Sequence, residues 1–434
     1  MMKVVVPPAR LEGEVAPPGD KSLGHRALIL NAIADGKAAV ENFSPGADPM
    51  STLSCLRSLR VPIDYDPGPP PRVMVTGVGR HGLQEPAVVL DCGNSGTTLR
   101  MLAGLLAPQP FLSILTGDAS LRSRPMERVI QPLRLMGAQI WGRAGDRLAP
   151  LVVRGGPLKG IEYRLPVASA QVKSSLLLAG LWAEGETRLL EPAPSRDHTE
   201  LMLRAMGATL EKQDSWLRLS PLSSPLRPLS LSLPGDISSA AFFLVAGAIH
   251  PQARILLKGV GLNPTRTGAV EALQKMGANI KLVEGRPIRG EFVGDLEVTS
   301  SQLRGVEIGG ELIPRLIDEI PVLAVAACCA RGTTVIRDAA ELRVKEADRI
   351  GAVVGGLRRL GADVDELPDG MVIRGGGKLR GAQVNSYGDH RLAMAFAVAG
   401  LVARGETAIE GAEVVEVSYP AFWQELDRLS RPSS

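Results

Sequence analysis

Cysteine is scarce. Cys55, Cys92, Cys328 and Cys329 are the only four in 434 residues. They form no CxxC pair, and Cys328-Cys329 falls inside an apolar run. Disulfides and a cysteine metal site are therefore not expected; the thiols should be reduced and mostly buried. An excess of charge of one sign is also lacking. Lys and Arg number 49 and Asp and Glu 46, a net +3 that singles out neither nucleic acid nor a membrane surface as a partner. The longest apolar runs, such as 320–330, fall well short of the roughly 20 residues of a membrane span. The first ten residues contain no apolar stretch long enough for a signal peptide, so a cytoplasmic location is expected.

What is present is organised around Pro18-Gly19-Asp20-Lys21-Ser22, followed by Gly24-His25-Arg26. Pro-Gly signals a turn, and 27–33 reads as a buried or amphipathic helix. The Lys-Ser pair thus sits where a loop becomes a helix, an end whose free N–H groups and partial positive charge suit an anion. The turn recurs once, as Pro234-Gly235-Asp236-Ile237-Ser238, ahead of an apolar stretch at 239–249. The second copy has Ile237 where the first has lysine. Two related halves are implied, with the chemistry biased to one.

Length alone predicts more than one domain, because single cores stop growing near roughly 250–300 residues. A repeat supplies the plan. A small-residue-rich helix, a short turn and a β-branched strand recur at 26–42, 99–115, 172–190, 240–257, 320–336 and 392–409. Several of the turns are near-identical: Ala-Glu-Gly-Glu-Thr at 183–187, Ala-Arg-Gly-Thr-Thr at 330–334 and Ala-Arg-Gly-Glu-Thr at 403–407. Glycine there is expected as a helix C-cap. A second motif, a helix ending in (Met/Leu)-Gly-Ala and then a strand, is interleaved at 133–140, 203–210, 273–280 and 357–364, with a weaker copy at 56–63. Its sixth copy would be a C-terminal helix at 419–429 with no strand after it. The unit is about 65–70 residues long. Three units lie between the Pro-Gly-Asp turns and three beyond the second. One domain is placed at 20–235 and the other at 236–434 with residues 1–19, its N-terminal strand at 3–6 included. Each should hold buried Ala/Gly/Leu helices with sheets outside. The short crossings favour hinge closure over loose tethering.

Polar residues gather at the helix starts. The segment from Asp91 to Arg100 is a glycine-rich turn into a helix, with Asn94 or Ser95 as cap, but it lacks the Gly-Lys-Ser/Thr ending of a P-loop. Gly117 to Met126 is a polar loop with Arg122 and Arg124, and Pro125 is expected in the first turn of the next helix. Ser169-Ala170-Gln171-Val172-Lys173-Ser174-Ser175 opens another apolar helix with hydroxyls and an amide; capping alone would explain Ser169. Ser195 to Glu200 precedes a further helix, and a cap is the plain alternative there too. Asp318-Glu319 stands before the helix at Ile320-Pro321, where acids are favourable in any case. Arg343 to Arg349 packs five charges into seven residues, which a solvated face would also explain. Asp389-His390-Arg391 stands at the mouth of a buried helix, and His390 could be purely structural. Taken jointly, six helix N-termini converging on one cleft would trap a small, multiply charged substrate.

The strings Pro-Gly-Asp-Lys-Ser-x-x-His-Arg, Gly-Asn-Ser-Gly-Thr-x-x-Arg, Arg-Pro-Met, Ser-Ala-Gln, Arg-Val-Lys-Glu-x-Asp-Arg and Asp-His-Arg-x-Ala-Met, in this order, resemble the 5-enolpyruvylshikimate-3-phosphate synthase family of enolpyruvyl transferases. The resemblance implies an α/β (α+β) fold: a two-lobed, inside-out, barrel-like arrangement with three βαβαββ repeats per domain and buried helices. It implies transfer of the enolpyruvyl group of phosphoenolpyruvate to the 5-hydroxyl of shikimate 3-phosphate, in chorismate biosynthesis. Carried over by motif, Lys21, Ser22, Arg26, Ser169, Gln171, Ser195, Asp318 and Lys345 would hold shikimate 3-phosphate. Lys21, Gly96, Arg124, Gln171, Arg349 and Arg391 would hold phosphoenolpyruvate. Asp318, Glu346 and Lys21 would move the protons. The 20–235 domain would serve mainly shikimate 3-phosphate, and the other would complete the phosphoenolpyruvate site. No metal or organic cofactor, nucleic acid or membrane is implied; a monomer inhibited by glyphosate is. Val417, Ala170 and Glu341 stand where many members have lysine, serine and asparagine. The sister transferase acting on UDP-N-acetylglucosamine is disfavoured, because the 118–124 loop lacks that family's cysteine.

Overall fold

The computed structural model describes residues 1–288 and 290–431. Its contacts divide the chain into two compact units: a central unit, Gly19–Leu233, and a C-terminal unit, Met1–Pro18 with Pro234–Ser434. Each has its own apolar core.

The helices of the first sequence repeat are the six innermost ones. They are α1 (Lys21–Ala32), α2 (Gly96–Leu106), α3 (Ala170–Gly180), α4 (Ile237–Ile249), α5 (Ile320–Cys329) and α6 (His390–Gly400). A helix apolar all round belongs in a core. In α4 every residue from Ile237 to Ala248 is buried. Small residues let the helices approach closely: a Cβ on Gly104 of α2 would lie 2.1 Å from the Ser175 carbonyl oxygen of α3. The interleaved helices, such as Glu127–Leu135 and Arg349–Arg359, bury one face only.

Among the described residues, five of the six sheets have four strands in one recurring order. A strand lies parallel to the strand that follows the buried helix, and two antiparallel strands complete the set. In the central unit one sheet runs Leu90–Asp91, Leu112–Thr116, Leu148–Arg154, Gln139–Gly142 and another Glu162–Arg164, Thr187–Leu190, Trp216–Leu219, Leu210–Gln213. The third is closed from a distance, by Leu231–Ser232 pairing with Asp35–Glu41. In the C-terminal unit the N-terminal segment makes two such closures. Leu11–Val15 pairs parallel with Ala253–Gly261. Met2–Val5 pairs antiparallel with Thr407–Glu410, and this sixth sheet stops at three strands. The helix Phe422–Leu429 follows, with no strand after it among the described residues. Three βαβαββ repeats per unit are therefore present, the last one completed by the chain start.

Two local expectations need correction. Gly185, Gly332 and Gly405 do take positive φ, but none is a helix C-cap: Gly185 and Gly405 lie in the turns before the strands, and Gly332 is the first residue of its strand. The glycine that follows a C-cap is the one in the second motif: Gly137, Gly207, Gly277 and Gly361 come directly after caps Met136, Met206, Met276 and Leu360. Pro125 precedes the Glu127–Leu135 helix and its cap Met126, so it does not occupy the first turn.

Candidate active site

Side-chain bonds draw the N-terminal ends of α1, α2 and α3 together. Arg26 of α1 donates to Ser174 Oγ of α3 at 3.0 Å, and Gln171 of α3 donates to Thr97 Oγ1 of α2 at 2.9 Å. Between α1 and α2 runs a chain of hydroxyls: His25 Nδ1 meets Thr52 Oγ1 at 2.7 Å, Thr52 meets Thr98 at 2.6 Å, and Thr98 donates to Ser95 at 2.8 Å. Each helix start is capped from within. Asp20 accepts from Leu23 N, Ser95 from Thr98 N and Ser169 from Val172 N. The Asn94-or-Ser95 alternative thus resolves to Ser95, and the Ser169 cap is real.

Around these ends lie the cations. Lys21 Nζ is 2.9 Å from Asp48 Oδ2. Arg26 is fully buried, with Nε on Thr199 Oγ1 at 2.7 Å and Nη1 on the Ser22 carbonyl at 2.9 Å. Arg196 Nη1 donates to Ser22 Oγ at 3.3 Å. Arg100 Nη1 donates to Gln171 Oε1 at 2.6 Å. Arg124 is held by the Asn94 carbonyl at 3.1 Å, by Asn94 Oδ1 and by Ser120 Oγ at 3.1 Å. Gly96 lies among them: a Cβ there would be 2.7 Å from Arg100 Nη1 and 3.5 Å from Arg124 Nη1. Lys21, Ser22, Arg26, Gly96, Arg124, Ser169 and Gln171 are thereby linked in one polar layer. Ser195 is tied in through α3: its hydroxyl donates to Glu191, which pairs with Lys173. The Ser195 segment is no simple cap, since the His198–Ala205 helix has no side-chain cap bond.

The C-terminal unit repeats the design at the starts of α4, α5 and α6. Ser238 of α4 donates to Glu319, just ahead of α5. Arg391 of α6 reaches the Asp318 carbonyl at 3.2 Å and Glu319 Oε1 at 3.7 Å. Arg349 is the hub. It is 1% exposed and touches Asp389 at 2.7 Å, Glu346 at 2.7 Å and Asp318 at 3.1 Å. Burial alone would weaken its basicity, but Asp389, Glu346 and Asp318 outweigh burial and raise its pKa. Lys345 Nζ lies 3.4 Å from Asp318 Oδ1. The dense 343–349 run is thus no solvated face: Arg349 goes inward, whereas Arg343 pairs with Asp348 and Glu366 near the surface. Asp318, Lys345, Glu346, Arg349 and Arg391 form one connected group.

Sequence reading placed Arg100 and Asp389 at helix starts, and Thr97, Lys173, Ser174 and Thr199 within the polar segments, but gave none of them these partners; Asp48 it missed altogether. Lys173 carried a signal: a lone charge in an otherwise apolar helix needs a buried counterion.

Each cluster joins guanidinium or ammonium groups to helix N-termini, which suits phosphate and carboxylate groups. The second also sets carboxylates among the cations, where a proton can be taken or given. The family model described as EPSP synthase (3-phosphoshikimate 1-carboxyvinyltransferase) matches residues 5–426. The chain belongs to the EPSP synthase family. A 3-phosphoshikimate 1-carboxyvinyltransferase of Herpetosiphon aurantiacus is 57% identical, covering 98% of each chain. One from Roseiflexus castenholzii is 56% identical over 99% of this chain and all of its own. Among solved structures, EPSP synthase from Acinetobacter baumannii aligns with TM-score 0.87 at 44% identity, over 99% of this chain and 98% of that one. The enolpyruvyl transferase NikO from Streptomyces tendae, at 18% identity and TM-score 0.79, shares the fold. The two-domain α/β fold expected from the sequence is the fold of these EPSP synthases.

Proposed function

We propose that the two clusters serve the one reaction of this family: transfer of the enolpyruvyl group of phosphoenolpyruvate to shikimate 3-phosphate, with release of phosphate. The enzyme is a transferase of the shikimate pathway. In this reading the central unit binds mainly shikimate 3-phosphate through Lys21, Ser22, Arg26, Ser169, Gln171 and Ser195, and Asp318 and Lys345 join them. Lys21, Gly96, Arg124, Gln171, Arg349 and Arg391 bind phosphoenolpyruvate. The observation that carries the reading is Arg349, a buried guanidinium gripped by three carboxylates of which two, Asp318 and Glu346, are the assigned proton carriers.

Chemically, C3 of phosphoenolpyruvate takes a proton and C2 gains oxocarbenium character. The 5-hydroxyl attacks C2 and gives up its proton. Loss of a C3 proton and of phosphate from the tetrahedral adduct then restores the vinyl group. Asp318, fixed between Lys345 and Arg349, takes the hydroxyl proton. Glu346 gives and recovers the proton at C3, and Lys21 shares in these transfers. Lys21 and the arginines stabilise the anionic groups. Phosphate release on mixing the two substrates tests this. Asp318→Asn should cut kcat by roughly 10²–10⁴; a variant as active as the parent removes Asp318 from the mechanism.

Glyphosate is proposed to compete with phosphoenolpyruvate beside Gly96. A methyl group there would crowd Arg100 and come into contact with Arg124, so Gly96→Ala should raise the glyphosate inhibition constant. Unchanged inhibition would contradict the assignment. The enzyme is further proposed to act as a monomer in the cytoplasm; its solution mass by light scattering tests the first point. The UDP-N-acetylglucosamine reading finds no support, because the 118–124 loop contains no cysteine.

A further inference from the structure

Lys173 is the one charged residue of α3, and it is 1% exposed. Its ammonium meets Glu191 Oε2 at 2.7 Å and Glu200 Oε1 at 2.7 Å, and it donates to the Ser195 carbonyl at 3.4 Å. Glu191 in turn accepts the Ser195 hydroxyl proton. Ser195 is therefore held at two points, its carbonyl by Lys173 and its hydroxyl by the carboxylate that Lys173 neutralises. The neighbours of these anchors reach the proposed substrate layer. Arg196, next to Ser195, donates to Ser22 Oγ. Thr199, next to Glu200, accepts from Arg26 and bonds Ser174 at 2.7 Å.

One ammonium against two carboxylates leaves a surplus negative charge under a layer read as an anion site. Stability does not call for that arrangement: well-packed apolar residues commonly do as well as a buried ion cluster. What the cluster supplies is a fixed position for the 191–200 segment.

We propose that Lys173, through Glu191 and Glu200, is a positioning residue for shikimate 3-phosphate, holding Arg196 and the Arg26–Thr199 pair on the substrate's phosphate. The inference rests on the reading of the central unit given above. The double variant Lys173→Met/Glu200→Gln removes one charge of each sign and leaves the formal charge of the group unchanged. Its KM for shikimate 3-phosphate should rise about ten- to a hundredfold, with a much smaller change in KM for phosphoenolpyruvate, while its melting temperature verifies folding. Lys173→Arg should restore much of the loss. If the double variant does not fold, Glu191→Gln, which keeps the side-chain volume, carries the same expectation. An unchanged KM for shikimate 3-phosphate in a folded variant overturns the proposal, and so does an equal loss for both substrates. Arg26→Ala, measured alongside, separates the two levels: if it too leaves that KM unchanged, the site assignment falls and takes this inference with it.

Discussion

The imidazole of His25 is buried behind Lys21 and next to Arg26. Burial first, and then these two cations, hold its pKa well below the ordinary value of 6.5, with Asp20 pulling weakly the other way. The ring therefore stays neutral, and the positive charge at the start of α1 comes from Lys21 and Arg26. This has a cost in acid. Below pH 6.5 the unfolded chain takes up a proton at this position and the folded chain does not. Stability should fall as pH drops through that range, by up to one proton, or about 1.4 kcal/mol per pH unit. His25→Gln keeps a polar group near Thr52 but cannot titrate. Urea unfolding of parent and variant between pH 5 and pH 8 should give a shallower acid slope for the variant. Equal slopes would mean that His25 is protonated in both states or in neither.

Adjacent glycines in one helix illustrate how packing decides the fate of an element. Gly355 and Gly356 both lie in Arg349–Arg359. A Cβ on Gly355 meets nothing within 4 Å, whereas one on Gly356 would fall 2.2 Å from Phe396 Cζ of the buried α6. Alanine favours a helix over glycine by about 1 kcal/mol, and overpacking a core costs about 1–3 kcal/mol. Gly355→Ala should then stabilise by roughly 0.5–1 kcal/mol. Gly356→Ala should destabilise by about 1–2 kcal/mol, the clash outweighing the propensity. Denaturant midpoints of the two variants check the opposite signs. The helix itself was legible in the sequence, from the Leu-Gly-Ala ending at 360–362 and the strand behind it, but the difference between its two glycines was not. Element type follows from local periodicity, which the repeats state six times over. Partner identity depends on chain segments far apart: Lys21 finds Asp48 across 27 residues, and Arg26 finds Thr199 across 173. The same limit hid Leu231–Ser232, a strand too short to show a pattern, whereas the longer apolar start of the chain was assigned to the C-terminal unit from the sequence.

The two units differ in how they are assembled from the chain. The central unit is one continuous segment that completes its own three sheets. The C-terminal unit borrows two strands from residues 1–18, and these bury Val5, Leu11 and Val15 in its core. Burying such side chains is worth about 1.5–3 kcal/mol each, or roughly 5–9 kcal/mol together. That is comparable with the roughly 5–15 kcal/mol total stability of a typical domain. Losing both strands also strips ladder partners from Ala253–Gly261 and Thr407–Glu410. Residues 19–233 expressed alone should therefore unfold in one cooperative thermal transition. Residues 234–434 alone should show none until a peptide of residues 1–18 is added or fused. Calorimetry of the three samples decides the matter, and a full transition for 234–434 without the peptide would show that its core closes without the first two strands. Separated in this way, neither segment should release phosphate from the two substrates. Lys21 and Arg26 belong to one and Asp318, Glu346 and Arg349 to the other, so turnover by either half alone would remove the other half's residues from the mechanism.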